Sequence, residues 1–276
     1  MNRVAAIQMA SGPNVQANLL EADRLITQAV EQGASLVVLP ENFALMGMHD
    51  DDQLRARELP GTGPIQEFLA STAARRDLWL VGGTLPLAAQ DSQHVRETCL
   101  VYDTSGSCVG SYAKIHLFDV HIEDAGESYN ESAVIEAGAD PLVVDTPLGR
   151  IGVAVGYDLR FPELFRHMVS QGMEIAVVPS TFTRITGQAH WEPLLRARAI
   201  ENLCFMVAAA QGGYHLNGRE TWGHSMIIDP WGGQMASVQS GTGVTVAEVD
   251  RARLLRTRRN FPVIEHRRFV CALSTS

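Results

Sequence analysis

The stretch ASLVVLPEN (residues 34–42) is a continuous apolar run that ends at Pro40 and delivers Glu41 just beyond it. A strand with one wet face alternates apolar and polar residues, whereas an unbroken run of this length marks a strand covered on both faces, as in parallel sheets flanked by helices. Working outward, VQANLLEADRLITQAVEQG (15–33) repeats its apolar positions at helical spacing and stops at Gly33, and RVAAIQM (3–9) before it is a short β-like run. Strand, helix and buried strand in succession predict an α/β fold.

The pattern continues along the chain. GTGPIQEFLASTAARRDLWLVGGTLPL (61–87) places Pro64 just inside a helix start and ends in another buried strand. ETCLVYDTSGSCVGSYAKIHL (97–117) predicts a hairpin around DTSGS, with Lys114 near its second strand end. A loop rich in acids, Gly and Ser is expected over 119–140, then a hairpin PLVVDTPLGRIGVAVGYD (141–158) turned at TPLG. FPELFRHMVSQG (161–172) and HWEPLLRARAIENL (190–203) predict helices, MEIAVVPST (173–181) and CFMVAAAQ (204–211) strands, and the segments 223–238 and 243–250 complete the sheets before a late helix at 251–261. No linker or fixed-period repeat interrupts the 276 residues, so one domain over 1–276 is expected, with polar residues at strand ends where ligand crevices lie.

Composition narrows the function classes. A formal charge of −9 argues against a general phosphate-backbone binder, and the isolated basic run RARLLRTRR (251–259) predicts a solvated helix face or a packing surface for a partner chain. No apolar run of membrane-spanning length and no signal-like N-terminus occur, so a soluble, cytoplasmic protein without a membrane partner is expected. Cys99, Cys108, Cys204 and Cys271 show no CxxC spacing and are expected as reduced thiols, Cys204 as a core residue. His116, His190 and His224 lack metal-ligand spacing, and GTGP (61–64) and PWGG (230–233) lack the phosphate-loop pattern, so neither a metal nor another cofactor is expected.

Certain polar residues stand where apolar ones would be cheaper. Glu41 follows a buried strand, where it is either a paired structural carboxylate or a working one. Lys114 in YAKIHLFD is either a snorkelling surface residue or a buried one that needs a carboxylate. Glu131 in SYNES is a solvated charge or a third member of the group. Together, two carboxylates and one ammonium converging would equip a site to move a proton and stabilise an oxyanion beside a nucleophile. The place for that nucleophile is a sharp strand-to-helix turn, and VAVGYDLRFPEL (153–164) has Gly156 there. Glycine tolerates the backbone strain of such a turn and brings no side chain.

VVLPEN (37–42), YAKIHLFD (112–119) and GVAVGYDLRFPEL (152–164), in this order and spacing, resemble the Glu, Lys and Cys motifs of the nitrilase superfamily of carbon–nitrogen hydrolases, and the likeness runs through essentially the whole chain. Residues 190–215 followed by GHSMIIDPWG (223–232) resemble the branch that contains deaminated glutathione amidase more than its ω-amidase relative. The resemblance implies a four-layer α-β-β-α sandwich, a homodimer in which residues 251–259 meet acids of the other chain, no cofactor, and hydrolysis of a small carboxylate-bearing amide. By motif it implies Glu41 as general base, Lys114 as the oxyanion cation, Glu131 as the second carboxylate, and the Tyr157 backbone N–H as an oxyanion donor. The nucleophile position falls on Gly156, where the family pattern has Cys, so this copy is expected to be disabled, or else to be a binding pseudoenzyme. Substrate carboxylates need cations and N–H donors; STFTRITGQAHW (180–191) offers Phe182, Arg184 and Thr186 as a rim after a strand. Arg160 is a further candidate, its alternative being an ion pair with Asp158 or Glu163.

Overall fold

The computed structural model describes residues 2–49, 51–123 and 126–269; Cys271 lies outside them. The first half runs β1 (Arg3–Gln8), α1 (Val15–Glu31), β2 (Leu36–Val38), α2 (Asp52–Ala56), α3 (Pro64–Arg76), β3 (Trp79–Val81), β4 (Leu85–Ala88), β5 (Val95–Tyr102), β6 (Cys108–Ala113), β7 (Asp119–Ile122) and β8 (Glu127–Asn130). The second runs β9 (Leu142–Thr146), β10 (Gly149–Val153), α4 (Pro162–Ser170), β11 (Ile175–Ser180), α5 (Arg184–Asn202), β12 (Phe205–Ala210), β13 (Gly212–Tyr214), β14 (Glu220–Trp222), β15 (Met226–Ile228), β16 (Gln234–Ser237), β17 (Gly243–Glu248) and α6 (Arg251–Asn260).

Two large sheets result, one ordered β17-β1-β2-β3-β5-β4 with β6 beside β5, the other β16-β15-β12-β11-β10-β9, and the pairs β13-β14 and β7-β8 form two small ones. Successive side chains of a strand face opposite ways, and the cores divide accordingly. Ala5, Ile7 and Val37 pack outward against Leu25 and Ile26 of α1 and Leu69 of α3. Val4, Ala6, Leu36 and Val38 point inward and meet Ile175, Val177, Phe205 and Val207 of the other sheet. Ala176, Val178, Met206 and Ala208 turn the other way, toward Phe165 and Met168 of α4 and Trp191 and Leu195 of α5. Three apolar interfaces between four layers make an α-β-β-α sandwich, and they explain why the central strands carry no polar alternation.

One expectation needs correction. The segment 119–140 is not a plain loop, because β7 and β8 pair as a hairpin whose alternation of exposed and half-buried residues carries no apolar run to betray it. The basic helix α6 is a largely exposed face, with only Leu254 buried, and part of its charge pairs within its own chain: Arg251 with Glu174 at 2.9 Å, Arg253 with Asp229 at 3.0 Å, while Arg258 donates to the carbonyls of Met173 and Leu203. Among the described residues no helix is long and apolar enough to cross a membrane.

Candidate active site

The parallel strands β1, β2, β10, β11 and β12 all end on one rim of the sandwich, where the two sheets bring distant segments together. Glu41 stands beyond β2, Lys114 directly after β6, Gly156 beyond β10, and Thr181–Thr183 after β11. Asn42 is a non-glycine residue in the left-handed region at φ 57°, held by its N–H to Thr84 Oγ1 at 2.7 Å, and backbone strain of this kind gathers at working sites.

Lys114 is 2% exposed and sits among three carboxylates. Its Nζ donates to Glu41 Oε1 at 2.8 Å and to Glu131 Oε1 at 2.9 Å, and lies 3.6 Å from Glu97 Oε2. Burial pulls an ammonium toward neutrality, but Glu131, Glu41 and Glu97 together outweigh it and hold Lys114 well above its ordinary value. One cation cannot neutralise three anions, so the two fully buried carboxylates, Glu41 and Glu97, are pushed toward the protonated form. Burial pushes Glu41 up against the opposing pull of Lys114, with Glu131 adding to the rise. Burial likewise lifts Glu97 to about 8, and Thr84 Oγ1 donates to its Oε1 at 2.8 Å. Glu131 is anchored separately by the Phe118 N–H on Oε2 at 2.7 Å. Glu97 escaped the sequence reading because it lies mid-strand in VRETCLVY beside other polar residues; only the register that sets Lys114 N–H on Glu97 C=O reveals the pairing.

Glu97 makes a testable contribution to stability. Its folded value near 8 exceeds the ordinary 4.5, so across that window the folded chain keeps a proton that the unfolded chain has lost. Stability therefore falls as pH rises through the window, by at most about 1.4 kcal/mol per pH unit for this one group. Glu97→Gln keeps an acceptor for Thr84 and cannot ionise. Urea midpoints measured from pH 5 to pH 8.5 are expected to fall less steeply in the variant; parallel curves would remove the proton from Glu97.

Gly156 is buried at the start of a short 3₁₀ turn (Gly156–Arg160) with φ 47°, a left-handed conformation that glycine adopts without a Cβ penalty. A Cβ placed there would lie 2.5 Å from Glu41 Oε2 and 2.8 Å from Oε1, so the Glu41 carboxylate and the elbow touch. Asp158 closes the turn by accepting from Val155 N–H at 2.8 Å, Tyr112 OH at 2.6 Å and His116 N–H at 3.1 Å. That occupies the partner proposed for Arg160, which has no carboxylate partner among the described residues and instead faces the rings of Phe182 and Tyr157 at 5.2 and 5.8 Å.

A cleft opens above these groups and is lined by Glu41, Lys114, Glu131, Gly156, Tyr157 and Arg160, with Phe182 and Thr186 on its wall. Arg184 does not line it. Thr183 caps α5, and Arg184, in the first turn, extends over the surface to Glu220 at 3.0 Å; it is Glu220 that reaches the cleft. Phe118, Tyr129 and Arg219 also line the cleft and went unnoticed in the sequence, although FD following YAKIHL and the aromatic before Asn130 mark two of them. His116 contacts Asp158, His190 contacts Arg160 and His224 contacts the Trp222 carbonyl. Oxygen atoms of Glu41, Glu97 and Glu131 lie within 4.8 Å of one another, a spacing that could serve a cation, and the Lys114 ammonium provides the positive charge there. Among the described residues no thiol approaches this cluster as a substitute nucleophile: Cys204 is buried in the core with its thiol pushed up to about 12, Cys99 is buried and raised further, and Cys108 is exposed.

The carbon-nitrogen hydrolase family model matches residues 3–259. The chain belongs to the carbon-nitrogen hydrolases. A Synechocystis deaminated glutathione amidase is 41% identical to this carbon-nitrogen hydrolase over 96% of the chain and 98% of its own length. The C. elegans NitFhit protein superposes with a TM-score of 0.87 at 36% identity; 97% of this chain is covered, but only 65% of that one. A Saccharomyces cerevisiae member of branch 10 of the nitrilase superfamily gives a TM-score of 0.86 at 29% identity, covering 97% of this chain and 96% of that one. The sandwich is the nitrilase superfamily fold.

Proposed function

We propose that the chain binds a small carboxylate-bearing amide of the deaminated glutathione kind and, with Gly156 at the nucleophile position, holds it without cleaving it at an appreciable rate. The observation that carries this reading is the intact charged group around an empty nucleophile: Glu41, Glu131 and Lys114 keep their mutual hydrogen bonds while Gly156 has no atom to attack with. In the mechanism that the family motifs imply, a thiolate adds to the amide carbonyl, the C–N bond breaks, and the amine leaves with a proton from the base. In this reading Glu41 takes and returns that proton, Lys114 and the Tyr157 N–H stabilise the oxyanion, and Glu131 holds Lys114 through the hydrogen bond between them.

Arg160 is the cation for a substrate carboxylate, since it lines the cleft, lacks an acid of its own among the described residues, and is backed by Phe182. The homodimer that the resemblance implies and the cytoplasmic location expected from the sequence belong to the same proposal. Isothermal calorimetry with deaminated glutathione, and α-ketoglutaramate for the ω-amidase alternative, tests it. Binding without release of amine is expected, and Arg160→Met is expected to weaken it by about tenfold or more, the effect of one lost charge-assisted contact. Absence of binding to both amides would sink the reading, and turnover by the Gly156 chain would sink its second half.

A further inference from the structure

Lys114 is the only lysine in the 276 residues, and its ammonium carries three N–H donors. Two are engaged, by Glu41 Oε1 at 2.8 Å and by Glu131 Oε1 at 2.9 Å. The third is the one that a ligand oxygen can use, and it has a competitor within the protein. Glu97 Oε2 stands 3.6 Å from Nζ, just beyond hydrogen-bond reach, so a small movement of the lysine stem decides whether that N–H meets Glu97 or a ligand.

The strands hold Glu97 at that distance. Where β5 and β6 pair, the Lys114 N–H donates to the Glu97 carbonyl at 2.9 Å and keeps the two residues side by side. Glu97 Oε1 accepts from Thr84 Oγ1 at 2.8 Å, and Thr84 Oγ1 in turn accepts from the Asn42 N–H at 2.7 Å, next to Glu41. The hydroxyl has one proton and gives it to Glu97, so the chain Asn42–Thr84–Glu97 runs in one direction and ties down Oε1. A proton on Glu97 therefore resides on Oε2, the oxygen that faces Lys114. With that proton Oε2 is a poor acceptor for an ammonium; without it, Oε2 is a charged one. The charges that bear on Glu97 are Lys114 after β6, Glu41 beyond β2 and Glu131 after β8, and His49 and Arg219 border a cavity together with it. Burial favours its proton above all, Lys114 opposes it, Glu41 and Glu131 support it, and the Thr84 hydroxyl opposes it.

We propose that Glu97 is a positioning residue that acts through Lys114: protonated, it leaves the third ammonium N–H to the carbonyl oxygen of a bound amide, and ionised, it draws that N–H onto its own Oε2 and away from the amide. The inference rests on the amide-binding function proposed above and gives that function an upper pH limit set inside the protein. Affinity for the amide falls as pH rises through the ionisation of Glu97.

Because Lys114 has no second lysine beside it in the sequence, growth on carbon-13 and nitrogen-15 lysine gives the intact chain a single side-chain NMR signal. Lys114 itself stays charged, held well above its ordinary value by Glu131, Glu41 and Glu97 against the pull of burial, so a step in this signal reports its neighbours. Titrated without ligand from pH 6 to pH 9.5, the signal is expected to move with a midpoint near 8 in the parent and to lose that step in Glu97→Gln, which keeps an acceptor for Thr84 and cannot ionise. Thr84→Val removes a donor to ionised Glu97 and leaves every charge in place; the step is then expected at higher pH, a shift that a merely structural role would not produce. That variant also serves if Glu97→Gln fails to fold. A step retained in Glu97→Gln, or unmoved in folded Thr84→Val, overturns the coupling. Calorimetry with deaminated glutathione at pH 6.5 and pH 9 reads the ligand side, and comparison of two chains cancels any titration of the ligand. The parent is expected to lose about tenfold more affinity over that interval than Glu97→Gln, the effect of one charge-assisted hydrogen bond. Equal losses in both chains overturn the assignment of the third N–H to the amide. No binding by either chain at either pH overturns the amide reading and the ligand half of this proposal with it, and the lysine step, measured without ligand, decides the other half.

Discussion

Gly156→Cys is expected to raise amide turnover by about 10⁴- to 10⁶-fold over the chain as it stands, the range that separates a covalent nucleophile from positioning and oxyanion stabilisation alone. The gain comes at a local structural cost. A side chain at φ 47° sits in the left-handed region, which costs an L-residue roughly 1–2 kcal/mol. Its Cβ would also meet Glu41 Oε2 at 2.5 Å, so the Glu41 carboxylate must rotate away while keeping its bond to Lys114. That displacement brings the carboxylate beside the new sulfur, within reach of its proton. Release of cysteinylglycine and the α-keto acid from deaminated glutathione measures turnover, and intact-mass detection of a thioester identifies the intermediate. Gly156→Ala carries the same backbone strain without sulfur, so it should lower the melting temperature comparably and gain nothing. A Cys variant that folds and binds both amides but turns over neither would end the case for machinery that is otherwise ready.

Lys114→Met is expected to destabilise the fold by about 3–5 kcal/mol, the cost of leaving buried charge uncompensated. Methionine retains most of the buried stem and removes the ammonium that Glu41, Glu97 and Glu131 surround. The sign with pH follows from the acids. At low pH they can stay protonated in the variant; as pH rises the unfolded chain ionises its carboxylates freely while the folded one resists, so the deficit relative to the parent grows. Urea unfolding of both proteins at pH 6 and pH 9 should show the larger deficit at pH 9. A deficit below about 1 kcal/mol at pH 9, the scale of a solvent-exposed pair, would mean that water already screens the cluster.

How far the sequence discloses all this depends on whether burial leaves a mark in the order of residues. The central strands are legible because covering both faces requires unbroken runs such as LVVL (36–39) and IAVV (175–178). Glu41, Lys114 and Gly156 are legible because each interrupts or ends such a run, and all three meet on one cleft. The β7–β8 hairpin is not, since a ribbon with no apolar face leaves no periodic signature. Glu97 is hidden for the converse reason: a charge among polar neighbours reads as solvent-facing until a cross-strand partner is known. Arg184 misled because a position after a strand suggests a rim, whereas the Thr183 cap had already begun a helix that carries its side chain away.

Asp158 has a consequence for the birth of the protein. Its carboxylate joins an elbow in the second half of the chain to Tyr112 and His116 in the first, across 46 and 42 residues of sequence. A nascent chain released as far as Lys114 therefore has Glu41 and Lys114 but not the clasp that sets them opposite the elbow. Contacts of this sequence separation close late, after local helices and hairpins have formed. The pocket is thus among the last parts of the molecule to exist. During synthesis the chain passes through its aggregation-prone stages with no ligand able to rescue it, and a bound amide can stabilise only molecules that have already docked both sheets.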